Sequence, residues 1–193
     1  MAASYLGWPQ AMSPMAAGST AGIYSPATIE RGRQLVALGD CMVCHTNEDG
    51  AVRGQRGAGG RAMHTPFGTV YTTNLTPDAE TGIGNWSLEA FKRAMREGIS
   101  RDGHRLYPAF PYTAFAKTSD DDLTALYAYL MAQTPVRAAT PAAEMRFPFN
   151  QRPMLAVGNG LFHDNKPFAP TPGQSADWNR GAYLVQALGH CGA

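Results

Sequence analysis

The 193-residue sequence has few charged residues and only three cysteines. Charged residues make up 16% of the chain, against roughly 25% in an average soluble protein, and the formal net charge is +1. Nothing in this balance suggests a strongly basic surface of the kind that binds nucleic acid. No apolar run approaches the roughly 18 residues that a membrane-spanning helix requires. Glycine (21) and proline (14) are frequent, which predicts many loops.

The first 24 residues contain no lysine or arginine, and the first basic residue is Arg31. A secretory signal peptide begins with a basic region, so this stretch does not have the composition of one. Alanine, serine, glycine, methionine and proline dominate it. We expect residues 1–24 to form an irregular arm.

Three serines mark the starts of predicted helices, because a serine side chain caps the free N–H groups of a first helical turn. The first helix follows Ser25 and is predicted to reach Gly39. The second runs from Ser87 to Gly98, and the third, after Ser119, is the most clearly amphipathic. Only residues 65–73 have the composition of an extended segment. The predicted fold class is therefore all-α, with long loops.

The sequence Cys41-Met42-Val43-Cys44-His45 is a C-x-x-C-H motif, which is typical of c-type haem attachment. Cysteines three residues apart in a helical turn lie on one side of the backbone. Both thiols can then add to the vinyl groups on one edge of a porphyrin. The histidine that follows is placed to ligate the iron.

Two other interpretations of the motif are weaker. A structural zinc site needs a second pair of ligands at regular spacing, and His64 and His104 do not provide one. A thioredoxin-like redox pair needs a βαβ context, which the sequence lacks. The sequence therefore favours a single covalent haem c at Cys41 and Cys44, with His45 on the iron.

Part of the first helix recurs near the end of the chain. The pattern Arg31-Gly32 … Leu-Gly-Asp-Cys41 reappears as Arg180-Gly181 … Leu-Gly-His-Cys191, with one additional residue in between. This repeat explains the third cysteine without a disulfide. Between the two copies, six prolines occur in residues 141–172, which predicts a linker or a wrapped strap.

The expected organisation has four parts. After the arm, residues 25–140 form a haem domain and residues 141–176 a Pro-rich linker. Residues 177–193 are expected to start a second domain of the same kind, interrupted inside its haem motif.

The chain resembles the cytochrome c subunits of bacterial membrane-linked dehydrogenases. The resemblance extends over about residues 29–193 and rests on specific motifs. Besides the haem motif, these are residues 65–69 (TPFGT), 73–78 (TNLTPD), 81–84 (TGIG), 106–109 (LYPA), 125–130 (ALYAYL) and 178–184 (WNRGAYL).

The resemblance implies a one-electron carrier with haem c. Such subunits carry three haem domains and serve alcohol, gluconate, fructose or sorbitol dehydrogenases, and related ones serve molybdenum hydroxylases such as nicotinate or aldehyde dehydrogenases. Electrons would come from a catalytic subunit of the flavin, PQQ or molybdenum type and pass to further haems, quinone or a terminal oxidase. Catalysis would take place in that other subunit. The implied location is the periplasm, with membrane association through parts outside this chain.

The second iron ligand is the main departure from the family. Members often have methionine at the position of Phe110, and phenylalanine cannot ligate iron. The candidates are His104, which we favour, then Met95, Met63 and His64, or no protein ligand. Six further residues are expected at the haem: Thr69, Tyr71, Asn74 and Trp86 as propionate partners, and Tyr107 and Pro108 as walls.

An iron without a second protein ligand would support a different function. The domain would then bind small ligands or peroxide on a five-coordinate haem. A third interpretation is a truncated fragment that folds around haem but lacks a complete relay.

Overall fold

A computed structural model describes residues 9–16, 18–20, 22–50 and 52–191. These residues form seven helices and three short strands. The helices are α1 (Pro26–Leu38), α2 (Cys41–His45), α3 (Leu88–Glu97), α4 (Tyr112–Phe115), α5 (Asp120–Met131), α6 (Pro153–Phe162) and α7 (Ala176–Gln186). The strands are β1 (Ala62–Thr65), β2 (Gly68–Tyr71) and β3 (Glu144–Met145). None of the helices in this part of the chain combines the length and the apolar character needed to cross a membrane.

The three predicted helix starts are confirmed. The Ser25, Ser87 and Ser119 hydroxyls accept hydrogen bonds from backbone N–H groups at the third residue of α1, α3 and α5 respectively. The predicted end of α3 is also confirmed, because Gly98 has the left-handed conformation (φ 62°) that stops a helix.

Helices α1 and α5 pack closely and form the centre of the core. Their contact depends on Gly32, where an added Cβ would lie 1.9 Å from the Ala125 carbonyl oxygen. The closeness lets the apolar faces of both helices meet. Their buried side chains include Leu35, Val36, Leu123, Leu126 and Leu130.

The strands form one small antiparallel sheet in the order β1-β2-β3. The β1-β2 hairpin lies mostly within the segment predicted to be extended, with Thr65 paired to Gly68 at its turn. Strand β3 comes from the Pro-rich segment, and its Glu144 pairs with Thr69. The fold is mostly helical, as predicted, with this sheet as an addition.

The Pro-rich segment contains β3 and α6 and lies against the helices that precede it in the chain. The Asn159 side chain of α6 accepts a hydrogen bond from the buried Tyr112 hydroxyl at 2.6 Å. His163, just after α6, has its Nε2 2.6 Å from the Arg96 carbonyl oxygen of α3. Helix α6 was not predicted, because Gly158 and Gly160 lie within it and the many prolines of residues 141–172 are typical of a loop.

Part of the N-terminal arm is held by α3 and by the chain on both sides of it. In residues 9–16 the chain has no helix or strand. Met12 N–H donates to the Arg101 carbonyl oxygen at 2.7 Å, and Met15 N–H to that of Asn85 at 2.8 Å. Arg93 donates to the Gln10 carbonyl oxygen. Residues 1–8 of the predicted arm lie outside the described residues.

Candidate haem site

Helix α2 is a single turn that carries the C-x-x-C-H motif. Asp40 precedes it with a left-handed backbone (φ 49°), which turns the chain sharply after α1. Cys41 packs against the core and Cys44 is half-buried, and neither forms a disulfide. Burial raises the pKa of the Cys41 thiol to about 12. Because neither cysteine forms a disulfide, both thiols are free for thioether bonds.

His45 is held in one tautomer by a backbone carbonyl. Its Nδ1 lies 2.6 Å from the carbonyl oxygen of Thr73. A carbonyl oxygen only accepts, so Nδ1 carries the proton and Nε2 keeps its lone pair. Burial lowers the pKa of His45, which favours the neutral imidazole. A neutral imidazole whose other nitrogen is hydrogen-bonded is the form that ligates metals in proteins.

The Gly-rich loop after the motif brings Thr73 to His45. Gly59 N–H donates to the His45 carbonyl oxygen at 2.8 Å. A Cβ on Gly59 would lie 2.4 Å from the Thr73 carbonyl carbon, and Gly59 has φ 72°, so only glycine fits there. Sequence reasoning identified this segment as a loop but missed the role of Thr73. The cluster of glycines in this loop was the signal that another stretch of backbone could pass close to it, as Thr73 does at Gly59.

Asn74, a predicted propionate partner, uses its amide group within the protein. Its Nδ2 donates to Thr81 Oγ1 at 3.1 Å and to the Val136 carbonyl oxygen at 2.7 Å. Its Oδ1 accepts from the backbone N–H and the hydroxyl of Thr76. These bonds occupy both amide hydrogens of a fully buried side chain. Asn74 therefore fastens the loop next to Thr73 to the chain after α5.

Several apolar side chains that pack against the core are only partly buried. They include Met42 of α2, Leu75, Trp86 and Phe110. Met42 lies between the two motif cysteines, so an apolar group attached there meets an apolar neighbour. The free cysteines, the fixed tautomer of His45 and this neighbour together fit haem c.

The predicted residues of β2 have partners in the sheet. The Tyr71 hydroxyl donates to Glu144 Oε1 at 3.0 Å, and Thr69 Oγ1 lies 3.1 Å from His64 Nδ1. Tyr71 is thus connected with the Pro-rich segment, and Thr69 with β1.

The two predicted wall residues lie on the loop before α4. The Tyr107 ring is covered by the Arg152 guanidinium, 4.8 Å from its centroid, and Pro108 is exposed. Phe110, in the same loop, packs against Phe115 at 5.3 Å between ring centroids.

His104 is paired with a carboxylate. Its Nδ1 lies 2.7 Å from Asp102 Oδ1, and the side chain is 37% exposed. Asp102 also accepts a hydrogen bond from the Ser100 hydroxyl. Nδ1 therefore carries a proton, and in the neutral imidazole Nε2 keeps its lone pair.

Comparisons with known proteins identify the family of the chain. The cytochrome c family profile matches residues 29–134. The chain is 58% identical over 193 residues to one of the subunits of nicotinate dehydrogenase from Pseudomonas putida, a match that covers all of this chain and 16% of that protein. It is 44% identical over 169 residues to the gluconate 2-dehydrogenase cytochrome c subunit of Pantoea cypripedii, covering 86% of this chain and 37% of that subunit.

A third relative is the fructose dehydrogenase cytochrome subunit of Gluconobacter japonicus, 44% identical over 167 residues, or 86% of this chain and 34% of that subunit. The chain thus spans well under half the length of these relatives. The chain belongs to the cytochrome c family, and its cofactor is covalently bound haem c.

Proposed function

We propose that the chain is a one-electron carrier that relays electrons from a partner dehydrogenase. The observation that carries this proposal is the His45–Thr73 hydrogen bond beside two free cysteines. One helical turn then provides both the histidine that ligates the iron and the thiols that bind the haem covalently. The haem supplies the redox chemistry, cycling between ferric and ferrous iron. The chain binds the haem through Cys41 and Cys44, ligates its iron through His45 and shields one face.

The proposed donor is the catalytic subunit of a flavin, PQQ or molybdenum dehydrogenase. The relatives named above are parts of nicotinate, gluconate and fructose dehydrogenases, which supports this class of partner. Electrons would leave to further haem domains, quinone or a terminal oxidase. Substrate oxidation then takes place in the other subunit. Because covalent haem c is typical of exported bacterial cytochromes, we place the protein in the periplasm, associated with the membrane through other parts.

We infer that His104 is the second axial ligand. Asp102 accepts a hydrogen bond from Nδ1 of His104, as the Thr73 carbonyl does from Nδ1 of His45. In the neutral form of both histidines, Nε2 therefore has the lone pair that can bind iron. Phe110 leaves the usual methionine position without a ligand. A bis-histidine iron has a lower potential than one with methionine, which suits an acceptor for a low-potential donor.

We also propose that residues 177–193 begin a second cytochrome c domain after the haem domain (25–140) and the Pro-rich segment (141–176). Two local similarities support this. The residues before the two motif cysteines both have a left-handed backbone: Asp40 at φ 49° and His190 at φ 36°. An added Cβ on Gly39 or Gly189 would in each case lie 3.4 Å from the sulfur of the nearby motif cysteine.

The test is to produce the protein with a periplasmic haem-attachment system and record its mass and spectra. We expect the mass of one haem to be added. The mass should revert in Cys41→Ser/Cys44→Ser, while Cys191→Ser keeps the haem. A reduced low-spin spectrum that carbon monoxide does not change supports His104, and His104→Ala should then become sensitive to the gas. A carbon monoxide response in the unmodified protein would favour the five-coordinate alternative, and absence of haem would overturn the proposal.

A further inference from the structure

Helix α6 is held to the rest of the chain by polar contacts on its inner side. Asn159 is buried, and its side chain accepts the Tyr112 hydroxyl at 2.6 Å. His163, one turn further along, donates from Nε2 to the Arg96 carbonyl oxygen at 2.6 Å. Residues three and four apart lie on one face of a helix. The side of α6 that faces the protein is therefore fixed by hydrogen bonds.

The opposite side of α6 is apolar and faces outward. Met154, Val157 and Leu161 follow one another at helical spacing and are 49%, 52% and 70% exposed. Phe162, the last residue of the helix, is 85% exposed. We call these four residues the outer face of α6. A helix at a water-covered surface has the reverse arrangement, with apolar residues inward and polar residues outward.

The length and composition of α6 narrow the environment that its outer face fits. The helix has ten residues and no charged side chain. It is about 15 Å long, roughly half the thickness of the hydrocarbon core of a bilayer. A short apolar stretch of this kind is typical of a buried core helix or of a segment at a membrane interface. The exposure of the outer face excludes the buried core helix, and the space beside Gly158 and Gly160 is open.

The exposed apolar side chains at α6 project from the protein. Phe147, in the turns that lead into the helix, is 80% exposed, and Phe162 is exposed to a similar degree. A protein partner would need a shaped pocket for each projecting ring, because packed interfaces are complementary in shape. A lipid surface is fluid and accepts phenylalanine and leucine side chains without such pockets. The projecting rings therefore favour lipid.

Basic residues lie on both sides of the outer face. Between residues 146 and 166 the sequence has three basic residues, Arg146, Arg152 and Lys166, and one acidic residue, Asp164. Arg146 and Lys166 are exposed, and Lys166 also pairs with Asp164 at 3.3 Å. Glu144, before this stretch, is engaged by a hydrogen bond within the sheet. Basic residues beside an apolar face strengthen binding to anionic lipids.

We propose that the outer face of α6, together with Phe147, is a lipid-binding site for an anionic phospholipid surface. The helix lies along that surface, with its apolar side chains among the acyl chains and Arg146 and Lys166 near the phosphate groups. This goes beyond the proposed function, which assigns membrane association to other parts, because it gives this chain a membrane contact of its own. The bonds of Asn159 and His163 then hold the haem domain at the membrane surface.

Vesicle flotation with the haem-loaded chain tests this site. Vesicles of phosphatidylethanolamine and phosphatidylglycerol provide an anionic surface, and vesicles of phosphatidylcholine provide a neutral one. We expect the protein to float with the anionic vesicles and severalfold less with the neutral ones. Salt should weaken the binding without abolishing it, because salt screens the charges of Arg146 and Lys166 and leaves the apolar contact in place.

The decisive variant is Met154→Gln/Val157→Thr/Leu161→Gln, which makes the outer face polar and leaves the inner contacts unchanged. It should bind anionic vesicles at least about tenfold more weakly, because apolar area buried in the interface drives the binding. The haem spectrum and the thermal unfolding should stay as they are. The matched control is Ile23→Thr/Val185→Thr, which removes two other exposed apolar side chains and should bind like the unsubstituted protein.

A fluorescent probe shows which part of the chain touches the lipid. Leu161→Cys in a Cys191→Ser background leaves one thiol for labelling once Cys41 and Cys44 hold the haem. An environment-sensitive fluorophore at this position should shift its emission to shorter wavelength when anionic vesicles are added. The same fluorophore on Ile23→Cys should keep its emission wavelength.

Three outcomes would overturn this inference. The protein may float with neither kind of vesicle, or the polar variant of the outer face may float as well as the unsubstituted protein. The third is self-association without lipid that the polar variant abolishes, which would assign the outer face to a second copy of the chain. Absence of the haem would count against the proposed function instead, and flotation measured by immunodetection of the chain would still decide the lipid contact.

Discussion

The Tyr127 hydroxyl donates a hydrogen bond to the Trp86 carbonyl oxygen across 2.6 Å. This bond ties α5 to the turn before α3. Tyr127 is 1% exposed. Burial raises its pKa to about 12, with smaller contributions from Tyr24 and Glu89.

This relationship predicts how stability depends on alkaline pH. The folded pKa of Tyr127 is raised above the unfolded value of about 10, so its contribution is complete below pH 10. It is lost progressively as the pH rises towards 12. Tyr127→Phe should cost about 1 kcal/mol at pH 7 through the lost hydrogen bond, and the decline of stability above pH 10 should become shallower. Guanidinium unfolding of both proteins at pH 7–11.5 measures this, and parallel alkaline slopes would contradict it.

The repeated glycines predict opposite effects of one substitution. Gly32→Ala should lower the free energy of unfolding by about 3 kcal/mol, because its Cβ would overlap the Ala125 backbone. Gly181, the equivalent residue of α7, has no atom within 4 Å of an added Cβ. Gly181→Ala should therefore stabilise the helix by about 0.5–1 kcal/mol. Thermal unfolding of both variants measures these changes. Equal changes in stability would show that packing does not distinguish the two positions.

Loss of the Asn74 side chain should weaken the structure that holds Thr73. Asn74→Ala removes several buried hydrogen bonds and leaves Thr76 and Thr81 with fewer partners. We expect a loss of about 3 kcal/mol in the free energy of unfolding. The control is Asn150→Ala at an exposed position, which should change stability by less than about 0.5 kcal/mol. A small effect at Asn74 would mean that the loop is held by other contacts.

Methionine in place of Phe110 should raise the reduction potential of the haem. A thioether ligand stabilises ferrous iron relative to an imidazole or to an open site. We expect Phe110→Met to shift a spectroelectrochemical titration to higher potential. Phe110→Leu keeps an apolar side chain that cannot ligate iron, so any shift should be smaller. Equal potentials in the two variants would show that residue 110 does not face the iron.

The helices that carry strong local signals were predictable from the sequence. Serine caps and apolar stripes fixed α1, α3 and α5 because those signals act within a few residues. The C-x-x-C-H motif is equally local, and it identified the attachment residues. In contrast, the partners of His45 and Asn74 are distant in sequence: Thr73 lies 28 residues beyond His45, and Val136 lies 62 residues beyond Asn74.

The sequence also did not indicate the protein partners of Thr69 and Tyr71. Both residues are expected at the haem propionates, and in the structure Thr69 Oγ1 contacts His64 and the Tyr71 hydroxyl donates to Glu144. A hydroxyl does not indicate its partner from sequence, because either a ligand or another side chain can satisfy it. Strand β3, which brings Glu144 to β2, has only two residues and no periodic pattern.

The Pro-rich segment joins parts of the chain that are far apart in sequence. Tyr71 and Glu144 are 73 residues apart, and Tyr112 and Asn159 are 47 apart. Contacts across such separations close large loops, and proteins rich in them fold more slowly than proteins rich in local contacts. The contacts of residues 144–163 therefore raise the mean sequence separation of contacts in this fold and lower its expected folding rate.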